Sequence, residues 1–326
     1  MKKKTAFILL VLFISIFRIS HTQEQPEQFP ILRGPYLGQK PPGMKAERFA
    51  PEPLQSTNSW WWHGSPILSP DGNELYFSKY STSGSNHIKI NHMKMENLIW
   101  TAPQPKTFFA SPEDNSNSPR FSWDGRKLFF WSGKIGGKIY FMNRLNNGWS
   151  EPKQLNIILP SSKKIEMQFS LTINEDVYFD VRDSNNNIDI YRALNESGSY
   201  SSPEKMGSSI NTSHLEFSPY IAPDESYLIF SSNRPGGYGW TDLYICFKNP
   251  DGTWSEAKNM GNSINSEYDD AWPYVTKDGN IFFFVSKKDD DVNMNPYWVN
   301  AKIIESLKPE KIKSMRVTKT QHCMEK

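Results

Sequence analysis

The chain has 326 residues, and 37 Lys+Arg oppose 35 Asp+Glu for a formal net charge of +2. Residues 1–22 carry four bases and no acid, 308–326 carry six bases and two acids, and 23–307 carry 27 bases against 33 acids, so the body lacks the positive surplus that nucleic-acid binding requires. With 20 Phe, 14 Tyr and 11 Trp the body is too aromatic for a disordered chain, and no stretch after residue 22 reaches the roughly 18 apolar residues of a membrane helix.

At the N-terminus, Lys2-Lys3-Lys4 precedes an apolar run from Ala6 to Phe17, followed by Ser20-His21-Thr22 with small residues placed for cleavage before Gln23. That order is the layout of a secretory signal peptide over 1–22; an uncleaved anchor is the alternative. The expectation is a periplasmic or secreted protein with no membrane span after signal removal. Only Cys246 and Cys323 are present, too few for a disulfide framework, so the fold must rest on its core. Residues 23–44 read as an extended N-terminal segment, 45–307 as the folded body, and 308–326 as a basic, mobile tail.

Within the body one pattern recurs five times: a Pro, five residues to an Asp, then six to a Phe. It is carried by Pro66, Asp71 and Phe77; Pro119, Asp124 and Phe130; Gln168, Ile173 and Phe179 in a degenerate third copy; Pro219, Asp224 and Phe230; and Pro273, Asp278 and Phe284. Each copy reads as a hairpin, a short apolar strand, a D-G or D-E turn that tolerates positive φ, and a second strand ending in aromatics. An alternating third strand follows each (HIKINHMKM, KIYFMN, DIYRAL, DLYICF, PYWVNA). A second motif opens at Trp100, Trp149, Tyr200 and Trp254 and supplies a fourth strand, with a fifth copy at Phe49 ahead of the first hairpin. Units of about 50 residues with four strands fit propeller blades, and radial closure removes the bare sheet edges an open array would leave. The fold expected is therefore all-β: a β-propeller of five four-stranded blades, closed by N-terminal chain near Phe49 lying beside chain near Trp298. Six blades is the alternative.

The P-D-G hairpins and the run from Ser231 to Asn265 resemble the WD40-like repeats of TolB-type propellers, as found in Gram-negative envelope proteins. Gly236-Gly237, Tyr244 and Trp254 also mimic the kelch order, but the P-D-G hairpin ahead of the doublet fits the TolB type better. The resemblance implies an exported propeller serving as a binding platform, with no ligand specified; family members are usually six-bladed, and the five copies here depart from that.

Strand alternation places the loops entering the inner strands and those joining strands two and three on one face. The first set presents His63, Ser116, Ile165 with Glu166 beside it, Glu216 and Asp270; the second presents Lys79, Lys134, Arg182, Arg234 and Lys287. Glu166, Glu216 and Asp270 could offer oxygen ligands to a cation, or Glu216 and Asp270, supported by His63, a carboxylate pair for glycoside hydrolysis. Glu166, Arg182, Arg234, Trp61, Trp62 and Trp240 are the candidate ligand-binding residues, because basic rims steer acidic partners and non-recurring tryptophans stack on sugars or anchor protein partners. Trp100, Trp149 and Trp254 recur at equivalent positions and read as packing between blades. No zinc-binding His spacing and no G-x-S-x-G elbow occurs. The first reading is thus a non-catalytic platform, free of cofactor, for an envelope protein or a glycan. The second is a propeller enzyme or lectin acting on carbohydrate.

Overall fold

The hairpin turns are tied by a hydroxyl two residues ahead of the Asp. Ser69, Ser122 and Thr276 donate to Asp71, Asp124 and Asp278, and the same carboxylates accept the amides of Asn73, Arg126 and Asn280. The next residue takes a left-handed conformation, which Gly72, Gly125 and Gly279 adopt without strain. In the fourth copy Glu225 adopts it instead, at φ +56°, and in the third copy Glu175, two residues past Ile173, does so at φ +64°. Both carboxylates reach the preceding unit: Glu175 accepts from Lys127 at 2.6 Å and Glu225 from Tyr178 at 2.5 Å.

The structure, a computed structural model, describes residues 29–82, 88–109, 115–133, 136–288 and 293–310. The chain divides into Met1–Pro30 and Ile31–Lys326; the second unit carries the architecture. The expected signal peptide, Lys134, Cys323 and all of the tail beyond residue 310 lie outside the described residues.

Five antiparallel sheets form the ring of a β-propeller with four-stranded blades. The second, third and fourth blades place Ser116–Phe121, Lys163–Leu171 and Glu216–Ile221 innermost, and the fifth Asp270–Val275. The outer strands are two-residue segments, Gln104–Pro105, Lys153–Gln154, Glu204–Lys205 and Lys258–Asn259. The fifth blade takes its outer strand from the other end of the chain: Glu47 pairs with Trp298 and Arg48 with Tyr297. Phe49 seals this seam, fully buried with its ring 5.0 Å from Phe283 and 4.9 Å from Trp298. Apolar clusters lie between neighbouring blades. Tyr178 and Ile190 of the third, for example, meet Leu228 and Phe230 of the fourth.

Two departures from the sequence reading stand out. The inner edge of the first blade is split, with Trp60–Trp62 and Ile67–Leu68 both pairing with Glu74–Ser81. The body also ends in a short helix, Lys302–Leu307, whose Ile303 and Ile304 join the core of the last two blades.

The inner strands share an irregularity. Ser118, Ser218 and Trp272 have φ of +54°, +52° and +55°, and each directly precedes a proline. The pairing register shifts at these points. Such a bulge re-aims the side chains around it: Phe217, Ser218 and Trp272 line one end of the channel and Arg120, Tyr220 and Tyr274 the other.

Because Phe49 fills the seam, Phe49→Ala is expected to cost about 3–5 kcal/mol of unfolding free energy, read from urea denaturation. A loss under about 1 kcal/mol, ordinary for a surface site, would contradict the sealing role.

Candidate functional site

The inner strands of several blades open onto a cavity of about 230 Å³ lined by His63, Glu166, Asp180, Arg182, Trp240 and Trp272, among others. A second cavity of about 440 Å³ adds Trp61, Asp269, Lys287 and Asn293 and shares Phe217, Trp240 and Trp272 with the first. Aromatic rings therefore form the boundary between two adjoining spaces.

Trp240 is 66% exposed and is presented by a loop wrapped around Asp242. That carboxylate accepts the amides of Tyr238 and Gly239 at 2.6 and 3.3 Å. Glycine is required in the wrap: a Cβ on Gly237 would stand 1.7 Å from the Asp242 carboxylate, and one on Gly239 would stand 1.8 Å from the Tyr268 carbonyl oxygen. Trp61 is half-buried and stacks on Tyr80 at 4.2 Å.

His63 lies 4.9 Å from the Trp272 ring, and its Nδ1 faces the Asn117 side-chain amide at 3.0 Å. An amide nitrogen only donates, so Nδ1 accepts and the imidazole proton belongs on Nε2. Burial pushes His63 down to about 4, so the ring is neutral at neutral pH. Arg182 grips Glu166 with two prongs, Nε and Nη2 donating at 2.8 and 2.7 Å.

Asp180 was invisible to motif reading. It is 1% exposed and joins two blades: one oxygen accepts the amides of Met167 and Gln168 and the other accepts that of Ser218. Burial raises its carboxyl to about 6; the three amides pull it down, and nearby Glu166 pushes it up. Aligning the repeats offers a signal for it, since Ser78, Trp131, Ser231 and Val285 stand at the same position and only this copy has a carboxylate.

Several candidates lie elsewhere. Glu216 is fully buried and closes the loop before its strand, accepting from the Thr212 amide and hydroxyl, Ser232 and Arg234. Asp270 does the same in the fifth blade with the Ser266 amide and hydroxyl, and burial raises it to about 6. Neither lines the cavities above, so the expected carboxylate pair of Glu216 and Asp270 is not presented there. Among the described residues no cluster of three His, Cys, Asp or Glu could hold a metal ion, so the three carboxylates considered for a cation do not converge. Arg234 is occupied by Glu216 and by the rings of Phe230 and Tyr244. Trp62 is a core residue, fully buried, stacked on Phe77 at 4.4 Å and donating to the Leu54 carbonyl. Adjacent strand residues point to opposite faces, so Trp61 and Trp62 cannot share one role. His63, Glu166, Arg182 and Trp240 are brought to one cavity, and Trp61 to its neighbour.

A scan against protein-family models gives no match, and a search of curated proteins gives none. Solved structures similar to this chain include an α-L-arabinofuranosidase from Lactobacillus brevis, at 14% identity and TM-score 0.44, over 72% of this chain and 90% of that one. An oligogalacturonate lyase in complex with manganese is similar at 10% identity and TM-score 0.40, over 80% of this chain and 96% of that one. A Mycobacterium tuberculosis puromycin-hydrolyzing peptidase is similar at 12% identity and TM-score 0.41, over 69% of this chain. This chain spans about a third of that peptidase's length, 34%.

The cavity makes opposite demands on its two shifted groups. His63, lowered from 6.5 to about 4, refuses a proton that the unfolded chain accepts, so its contribution is present above pH 6.5 and is lost as pH falls toward 4. Asp180, raised from 3.8 to about 6, stabilises at low pH, and that contribution is lost as pH rises through 6. Unfolding midpoints between pH 4 and 7 should show wild type losing stability relative to His63→Gln on acidification, and gaining relative to Asp180→Asn. Differences that stay flat across the window would contradict both assignments.

Proposed function

We propose that this protein is an exported propeller of the TolB-like type that binds a glycan without transforming it, seated on Trp61, Trp240 and Trp272. The observation that carries the reading is Trp240, an exposed indole standing between two adjoining cavities. Sugar rings offer apolar faces that stack on indoles while their hydroxyls seek polar rims. Here the Glu166–Arg182 pair, Asp269, Lys287 and Asn293 supply the rim. Export rests on the leader-like N-terminus. The type rests on the P-D-G repeats. An envelope protein as the partner would use the same tryptophan as its anchor.

A carbohydrate-cleaving enzyme is the second reading, and it moves from Glu216 and Asp270 to Glu166 and Asp180, which share one cavity. A carboxyl raised to about 6 by burial suits a general acid. Against it, both Asp180 oxygens are already engaged by backbone amides and Glu166 is held by Arg182. Binding is therefore preferred.

Glycan-array screening followed by calorimetry tests the reading. Trp240→Ala should weaken the best ligand about tenfold or more, equivalent to about 1.4 kcal/mol, with the glycan recovered intact. No glycan bound by wild type would sink the proposal. New reducing ends, lost in Asp180→Asn, would move it to the enzyme.

A further inference from the structure

At the opposite end of the channel the inner strands bring Leu68, Arg120, Ser170, Tyr220 and Tyr274 to one cavity. Of these five only Arg120 is a cation. Arg120 is 7% exposed. One Nη donates to the Pro119 carbonyl at 2.8 Å, and Nε has no hydrogen-bond partner. Among the described residues no Asp or Glu pairs with it.

The two tyrosines facing Arg120 do not supply the missing charge. Their rings meet edge-on at 6.0 Å, and Tyr220 donates its hydroxyl to the Val275 carbonyl at 3.2 Å. Burial raises both phenols, so they stay neutral. The guanidinium keeps its charge even though burial lowers it to about 10. An uncompensated buried charge is among the costliest features a fold can hold.

Arg120 borders a cavity of about 70 Å³. One water needs about 10–15 Å³ of such cavity volume, so there is room for several waters or one small oxyanion. Ser170, Tyr220 and Tyr274 also line it, and Lys277 sits at its rim with Nζ 5.2 Å from the Trp123 ring. We propose that this cavity binds a single carboxylate group, held by the free edge of Arg120. Arg120 is the one buried cation among the lining residues, while Lys277 is solvent-exposed, so the buried charge to be neutralised is a single one. Planar carboxylates also match the guanidinium fork. The inference is independent of the glycan reading, which concerns the other end of the channel.

Thermal unfolding with increasing sodium acetate, at constant ionic strength set by sodium chloride, tests it. Wild type should gain stability saturably, and Arg120→Gln should lose at least about tenfold in apparent affinity, the order of a charge-assisted bond. Trp240→Ala should respond as wild type does, which separates this test from that of the glycan site. If Arg120→Gln does not fold, Arg120→Lys is read in its place, with weaker binding expected because the fork is lost. N-acetylglycine is run beside acetate: tighter binding marks a carboxylate at the end of a longer molecule, and equal or weaker binding marks a free small acid. Absence of a saturable acetate effect in wild type, an unchanged effect in the Arg120 variant, or a response to sulfate alone would each overturn the proposal.

Discussion

Two backbone pairs, Glu47 with Trp298 and Arg48 with Tyr297, hold the ring shut. Without them the fifth sheet would end on an open edge, and the first and fifth blades would lose their common reference. The candidate site is built across this junction. The Ser65 hydroxyl donates to the Trp272 carbonyl, and the His63 ring lies against Trp272. Ser56 further ties the first blade's approach to Asn295 and Met294. The His63–Trp272 side of the cavity therefore depends on closure, whereas Trp240 is held by its own blade's loop around Asp242.

Carboxylates do three different jobs here. In the turns they are small caps for a following amide. At Glu216 and Asp270 they close the loops that enter inner strands. At Asp180 one carboxylate gathers amides from two blades. In each case backbone donors that would otherwise be unsatisfied set the demand. Acidic residues near a channel mouth are thus poor evidence of chemistry until their acceptor sites are accounted for, as Glu216 illustrates.

The ring was legible because it rests on repeat length and period-two alternation, which are properties of the backbone. The offset copy at Phe49 was enough to place the closing strand against Trp298. The site was legible only in part. His63, Glu166 and Arg182 could be assigned to one face from strand direction, and Trp240 stood out as a tryptophan that does not recur, but which way each side chain turns depends on bulges that sequence does not display. Trp62 went to the core while Trp61 did not, although three tryptophans in a row look alike. Asp180 and Trp272 were missed because each replaces a residue of another kind at its repeat position. The helix Lys302–Leu307 was missed because six residues carry too little periodicity to register.

Arg48 and Tyr297 meet across nearly the whole length of the body. Contacts so distant along a chain demand a large loss of chain entropy before they contribute anything. Blades two to four can condense from neighbouring hairpins as synthesis proceeds, but the last outer strand must wait for its partner to emerge. Until then the nascent chain carries one unfinished sheet whose exposed rim is open to strangers as well as to its own N-terminal segment.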